Sequence, residues 1–412
     1  MTPELKAQIR RNLLRLSACV TIFYCVAVMM TALTPATFVF VSGRPDLSGV
    51  PPALFLLGGA TGANFAGRLM DRLGRMKVVC AGFLIGATGC IIIRAAILLS
   101  HTGLSLVGFV LTGAAAGTVM LARLAGADMY PPDMRGRGIS LVLMGAVVGG
   151  VLGPLVFLPL AVAHSNDGHM LAQAWLVGAS GLALGSLVTL TVQPDPKKIA
   201  ELIAGNSASA NAGRPSSLKE ILQRPGVLVA LTTAVVAHAL MVSLMSLCGV
   251  LMVRHGHHHE PVFVAVGTHF VGMFGMVLVS GEISDRMGHT RAMVLGLLII
   301  TGVFATLPWV HATWAFALNM FMLGWGWNFA FVAATSELAR ATKPHERGRL
   351  IGFNDVLAST LGAALVVTAG VAIGRAGVVP LAVIGTLVAM VPLLLLSRAS
   401  RVRASAASSQ AA

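Results

Sequence analysis

Fifteen carboxylates are spread through 412 residues, and Asp355 is the one that falls well inside a long apolar run. An ionisable group in such a run is costly to keep and marks a pathway for a solute or a proton. Two histidines lie as deep. His238 stands eleven residues beyond Val227 and His269 eight beyond Pro261. At about 1.5 Å per helical residue, both fall near the middle of their runs. A histidine can carry a proton or hold a ligand near neutral pH. A hydrogen bond between neighbouring helices is the plainer reading for each. Asn319, Asn328 and Asn354 offer amide groups in similar surroundings, with Trp325 and Trp327 beside the second of them. A further histidine group, His255, His257, His258 and His259, follows one apolar run and precedes Glu260. The run lacks a fixed tetrahedral spacing, so these four are weak metal candidates and a solvated loop is expected instead. No nucleophile stands with a base, and no phosphate loop or cofactor motif is present. Neither enzymatic activity nor a cofactor is expected.

The elements that must position these groups follow from composition. The chain is 56% hydrophobic and 11% charged, with a mean hydropathy of +0.84. A soluble domain carries about twice that charge. Twelve apolar segments are expected, over 16–40, 49–69, 78–100, 104–126, 138–162, 170–192, 227–253, 261–281, 291–310, 313–336, 350–373 and 377–397. Each is long enough to cross a bilayer as a helix. The predicted class is an all-α membrane protein in the lipid bilayer. The net charge of +14 sits in short stretches between the segments, which argues against nucleic acid. Twenty-five lysines and arginines fall on the side of the N-terminus, against Arg44, Arg254 and Arg375 on the other, with Arg94 inside a segment. That asymmetry predicts both termini on the cytoplasmic face of the plasma (inner) membrane. The five cysteines lie within apolar runs and read as small buried hydrophobes.

Two motifs occur twice. Gly67-Arg-Leu-Met-Asp71-Arg72-Leu-Gly74-Arg75-Met-Lys77 is echoed by Gly281-Glu-Ile-Ser-Asp285-Arg286-Met-Gly288-His289-Thr-Arg291, 214 residues later. Pro132-Asp-Met-Arg135-Gly-Arg137 returns as Pro344-His-Glu-Arg347-Gly-Arg349, 212 residues later. Two repeats with nearly one offset predict two related six-helix halves, 1–192 and 227–412. A polar cytoplasmic linker, 193–226, would join them.

The Gly67–Lys77 pattern resembles the signature between the second and third helices of the major facilitator superfamily, and the resemblance extends over essentially the whole chain. It implies a twelve-helix secondary transporter with two pseudo-symmetric halves, working by alternating access. It also implies a cytoplasmic latch of Asp71, Arg75 and Asp128 that holds the outward-open state. Gly67, Arg72 and Gly74 complete the motif, and Asp285, Arg286 and Glu337 form its second copy. His289 replaces the arginine there. Gly145-x-x-x-Gly149-x-x-x-Gly153-Pro154 resembles the fifth-helix signature of the drug:proton antiporter branch. A spacing of four places these glycines on one face, where a second helix can approach. The arginine usual in the fourth helix of that branch is absent, with Phe109 and Thr112 in its place. The implied partners are a small-molecule solute and protons, in a monomer. The expected activity is export of a small organic solute coupled to protons. Metabolite or metal-ion transport by the same fold is the alternative, and a sensor or scaffold without transport is a third reading.

Overall fold

A chain in hydrocarbon must pair its backbone within each segment, and a helix does so without help from its neighbours. The computed structural model describes residues 3–131, 134–162, 168–204, 217–258, 260–342 and 344–411, and every longer regular element among them is a helix. The first group comprises α1 (Pro3–Ser42), α2 (Val50–Leu73), α3 (Arg75–Leu98), α4 (Thr102–Met120), α5 (Ala122–Asp128), α6 (Arg135–Val162) and α7 (Gly168–Leu190). Two short helices follow, α8 (Pro196–Ala204) and α9 (Leu218–Leu222). The rest are α10 (Val227–Arg254), α11 (Glu260–Phe270), α12 (Val277–Met287), α13 (His289–Thr306), α14 (Thr313–Arg340), α15 (Pro344–Ala376) and α16 (Val379–Ala411).

Ten helices among the described residues are long and apolar enough to cross a membrane. The expected segments 49–69 and 261–281 are helical but do not reach that standard. Gly58, Gly59, Thr61, Gly62 and Asn64 dilute the apolar character of α2. The other segment is divided by a π-turn at Val271–Gly275, which separates α11 from α12. A Cβ on Gly272 would lie 2.3 Å from the Phe321 carbonyl oxygen, so α14 presses directly on this turn.

Three pairings recur along the chain. α1 packs on α6 as α10 packs on α15, α2 on α4 as α11 on α14, and α3 on α7 as α13 on α16. Small residues make the first group tight. A Cβ on Gly117 would be 1.9 Å from the Gly59 oxygen, so α2 and α4 meet backbone to backbone. The two groups touch where α1 meets α10, α2 meets α15, and α6 meets α11.

Candidate functional site

Helix starts leave backbone N–H groups without partners, and a carboxylate beside them is stabilised. That rule accounts for the turn at Gly74. Gly74 has φ +96°, in the region that favours glycine, and it separates α2 from α3. Asp195, far along the chain, caps α3: its carboxylate accepts from the Arg75 N–H at 3.1 Å and the Met76 N–H at 2.9 Å. Arg75 then donates from Nε to Asp128 Oδ2 at 2.8 Å, with each side chain 19% exposed. Local sequence carries no sign of Asp195, because its partners stand about 120 residues away. The side chains of Asp71 and Asp285 lie outside the described residues, as does His259. Arg72 is exposed, and Gly67 has open space around it.

The second copy is looser. Gly288 repeats the left-handed turn at φ +83°. His289 Nδ1 lies 3.3 Å from Glu337 Oε2, and Arg340 reaches the same carboxylate at 3.8 Å. Arg286 pairs with Glu282 on its own helix, and both are largely exposed, so that pair contributes little. A stronger contact lies nearby, between residues the motif does not single out as partners. Arg224 meets the buried Glu346 through two bonds, at 2.7 and 2.9 Å, and also donates to the Ala341 carbonyl at 2.9 Å. The hydrogen bonds to Glu346 push the Arg224 pKa above its ordinary value. Ile221, Val227, Leu338 and Leu350 pack around this junction of α9, α10, α14 and α15.

The interior holds a second constellation. α4 breaks at Leu121 and restarts as α5, which carries Arg123. The Arg123 guanidinium lies within electrostatic reach of Tyr24 on α1, His238 on α10 and Asp355 on α15. Among the described residues it makes no hydrogen bond or ion pair. Tyr24 donates to Met120 Sδ at 3.0 Å and sets its ring edge-on to Phe270 and Phe274. The His238 ring centroid is 5.6 Å from that of Phe331 and 6.2 Å from that of Trp327, and those two rings stack at 4.8 Å. His238 Nδ1 and Trp327 Nε1 are buried without hydrogen-bond partners. Asp355 is exposed and accepts from Asn354 Nδ2 at 3.1 Å. Helices α10 and α14 thus bring aromatic faces and two unspent polar atoms to one place. Arg123, one of the cations assigned to the cytoplasmic side from the sequence, stands on α5 within the apolar span Thr102–Asp128.

Other candidates have different work. His269 is wholly buried between α11 and α14, with Nδ1 3.0 Å from the Met320 carbonyl oxygen. Asn328 donates to the Met273 carbonyl and ties α14 to the π-turn. Asn319 joins α14 to the end of α13 through Val303 and Thr306. In the histidine group, His255 bonds back to Leu251 and His257 to the His311 carbonyl. No three His, Cys, Asp or Glu side chains are grouped to hold a metal among the described residues.

The glycine face of α6 lies on α1. A Cβ at Gly145 would come 2.2 Å from the Ser17 oxygen, at Gly149 2.4 Å from the Thr21 oxygen, and at Gly153 2.6 Å from Val28 Cβ. Contacts between the two groups cluster at the end away from the cationic loops. There Gly49 meets Val366, Gly374 meets Asp46, and Gly267 meets Gly150 and Pro154. At the other end, Gly67 and Gly352 have open space.

Comparisons with known proteins agree with this architecture. Residues 16–367 match the family model described as Major Facilitator Superfamily. An uncharacterized MFS-type transporter, YdeG of Bacillus subtilis, is 30% identical over 363 residues, covering 86% of this chain and 84% of its own. The riboflavin transporter RfnT of Brucella anthropi is 30% identical over 321 residues, covering 77% of each chain. Among solved structures, the xylose transporter XylE from E. coli in a partially occluded inward-open conformation superposes with a TM-score of 0.69. It is 15% identical and covers 93% of this chain and 97% of its own.

Proposed function

We propose, for a chain that belongs to the major facilitator superfamily and is a multi-pass secondary transporter and not an enzyme, that its solute is a small organic molecule bearing an aromatic ring. The observation that carries this is the group of His238, Trp327 and Phe331, whose stacked faces adjoin two buried polar atoms without partners. Such a site suits a flat ring with hydrogen-bonding edges, since each polar atom left unpaired is a cost that a ligand can remove. The likeness to a relative named as a riboflavin transporter points the same way, because riboflavin is a planar heterocycle. We test this with the purified chain in proteoliposomes, using riboflavin, other ring-bearing solutes, and sugars. Ring-bearing solutes should be taken up. Trp327→Ala should cut their flux by about tenfold, the scale of a lost stacking contact, while the exposed Trp309 should tolerate Ala. Equal flux of sugars, or full activity of Trp327→Ala, would sink the reading.

The halves 1–192 and 227–412 rock about this site in the proposal, supported by the recurring helix pairs. The cation asymmetry favours cytoplasmic termini, which makes this an inward-open state closed at its outer end. Arg75–Asp128 is intact here, so the pair is compatible with the inward-open state as well as the outward-open one. Its proposed role is to fix the angle between α3 and α5 while the halves move. Arg75→Ala should then cut transport about 5–30-fold, the effect of 1–2 kcal/mol on a two-state balance, with membrane insertion unchanged. Unaltered flux would leave the motif as an orientation signal alone. For coupling, Asp355 and His238 are the proposed proton carriers, and the His269 contact with Met320 gives that residue a structural part. Proton-linked export is the second reading, supported by the Gly145–Pro154 pattern. The same vesicles with an imposed pH gradient distinguish it: solute should move against its own gradient only when protons flow the other way.

A further inference from the structure

A histidine that binds a metal ion ordinarily donates its second ring N–H to a carbonyl, which fixes the tautomer and leaves the other nitrogen as the ligand. His255, at the end of α10, is prepared in that way. Its Nδ1 lies 2.8 Å from the Leu251 carbonyl oxygen, which can only accept, so Nε2 carries the lone pair. The His311 ring is exposed in the loop before α14, with its centroid 5.1 Å from that of His255 and the planes at 52°. Two imidazoles on one ion place each centroid about 3.2 Å from the metal, given a bond of about 2.0–2.1 Å, so a tetrahedral angle separates the centroids by about 5.2 Å. The observed spacing is that of a ligand pair. The carbonyl of His311 is held as well, because His257 Nε2 donates to it at 2.6 Å. That tautomer leaves His257 Nδ1 to accept from Thr313 Oγ1 at 3.3 Å. Both nitrogens of His257 are therefore committed to holding the loop, and the Phe316 ring stands edge-on to His255 and His257, at 5.7 Å from each. Among the described residues the His311 ring makes no hydrogen bond of its own.

We propose that His255 and His311 form a binding site for a divalent transition-metal ion of the zinc, nickel and copper class, at the end of the molecule away from the cationic loops. Neutral imidazole suits these ions, whereas magnesium and calcium take oxygen ligands. No third His, Cys, Asp or Glu completes a cluster among the described residues, so water fills the remaining positions. The histidine run is thereby divided: His255 binds, His257 supports, and the exposed His258 takes no part. The site adjoins the closure between the two helix groups. Arg254, one residue before His255, donates to the Ile373 and Gly374 carbonyls of α15, and Gly374 meets Asp46 of the first group. An ion held by both rings ties the end of α10 to the loop before α14. The site stands apart from the aromatic group at His238 and does not depend on it.

Isothermal titration tests this on the full chain in detergent, prepared without a polyhistidine tag. Zinc and nickel should each bind at one saturable site per chain, and magnesium should not. His255→Ala and His311→Ala should each weaken zinc binding at least about tenfold, the smallest loss typical when even the supporting shell of a metal site is disturbed. His258→Ala should leave the affinity unchanged. Electron paramagnetic resonance of bound copper(II) reads the donors directly, with two imidazole nitrogens in the wild type and one in either variant. Melting without metal checks that each variant is folded. His255→Gln, which keeps a hydrogen-bonding side chain, takes the place of His255→Ala if the latter melts early. No saturable zinc binding by the wild type, or undiminished affinity in the double variant His255→Ala with His311→Ala, overturns the site. A loss in His258→Ala as large as in the pair would assign the ion to the whole histidine run and overturns it too.

Discussion

Gly149→Leu is expected to destabilise the protein by about 3 kcal/mol, at the upper end of overpacking costs, and to abolish most transport. A Cβ at this position already lies 2.4 Å from the Thr21 oxygen and 2.9 Å from the Cys25 backbone nitrogen. Those atoms belong to the backbone of α1 and have no rotamer to change. The helix itself must move, since packed interiors have little slack. Tyr24 is in the same turn, with its Cβ 2.8 Å from the added atom, so a displaced α1 pulls one wall from the interior constellation. Thermal unfolding in detergent measures the first effect and vesicle flux the second. Gly352→Leu is the control, because nothing lies within 4 Å of a Cβ there. If the two variants melt alike, the α1–α6 seam is looser than its geometry requires.

Arg224→Met should lower the melting temperature by several degrees, because it leaves the Glu346 carboxylate, whose side chain is 1% exposed, without its bidentate partner. Removing one member of such a pair costs more than removing both. The double variant Arg224→Met with Glu346→Leu should accordingly recover much of the loss, as residues in direct contact do not behave additively. Arg224 lies near the end of the expected linker 193–226 and Glu346 in the repeat of the Pro132–Arg137 motif, so this contact fastens the segment after α9 to α15. A double variant that melts at the sum of the two single losses would show that the residues are not coupled.

Several contacts were legible from the chain alone. The Arg75–Asp128 contact is the pairing that the family resemblance implied, and its role as a latch is a proposal. The Gly145, Gly149 and Gly153 face was legible because a step of four is a local helical property. Asp195 was not, since a cap supplied from about 120 residues away leaves no pattern beside the helix it caps. His238 and His269 looked alike in sequence, each midway along an apolar run. The fold separates them: His238 faces Trp327 and Phe331, while His269 is sealed against Met320. Depth along a helix can be counted from its end, but the direction a side chain faces depends on which neighbours the helix acquires.

Apolar run length and cation placement determined, without any structure, that this is a helical membrane protein, because the bilayer imposes one length and one backbone solution on every crossing. The repeated motifs point to two related halves in the same way, as each repeat is local and self-contained, and the recurring helix pairs support that reading. The site was decided by tertiary structure. In the proposed site, His238 of α10 meets Trp327 and Phe331 of α14, and Tyr24 of α1 meets Phe270 of α11. Hydropathy is a sum over neighbours in the chain, whereas a binding site is a meeting of residues distant in it, and packing alone brings those together.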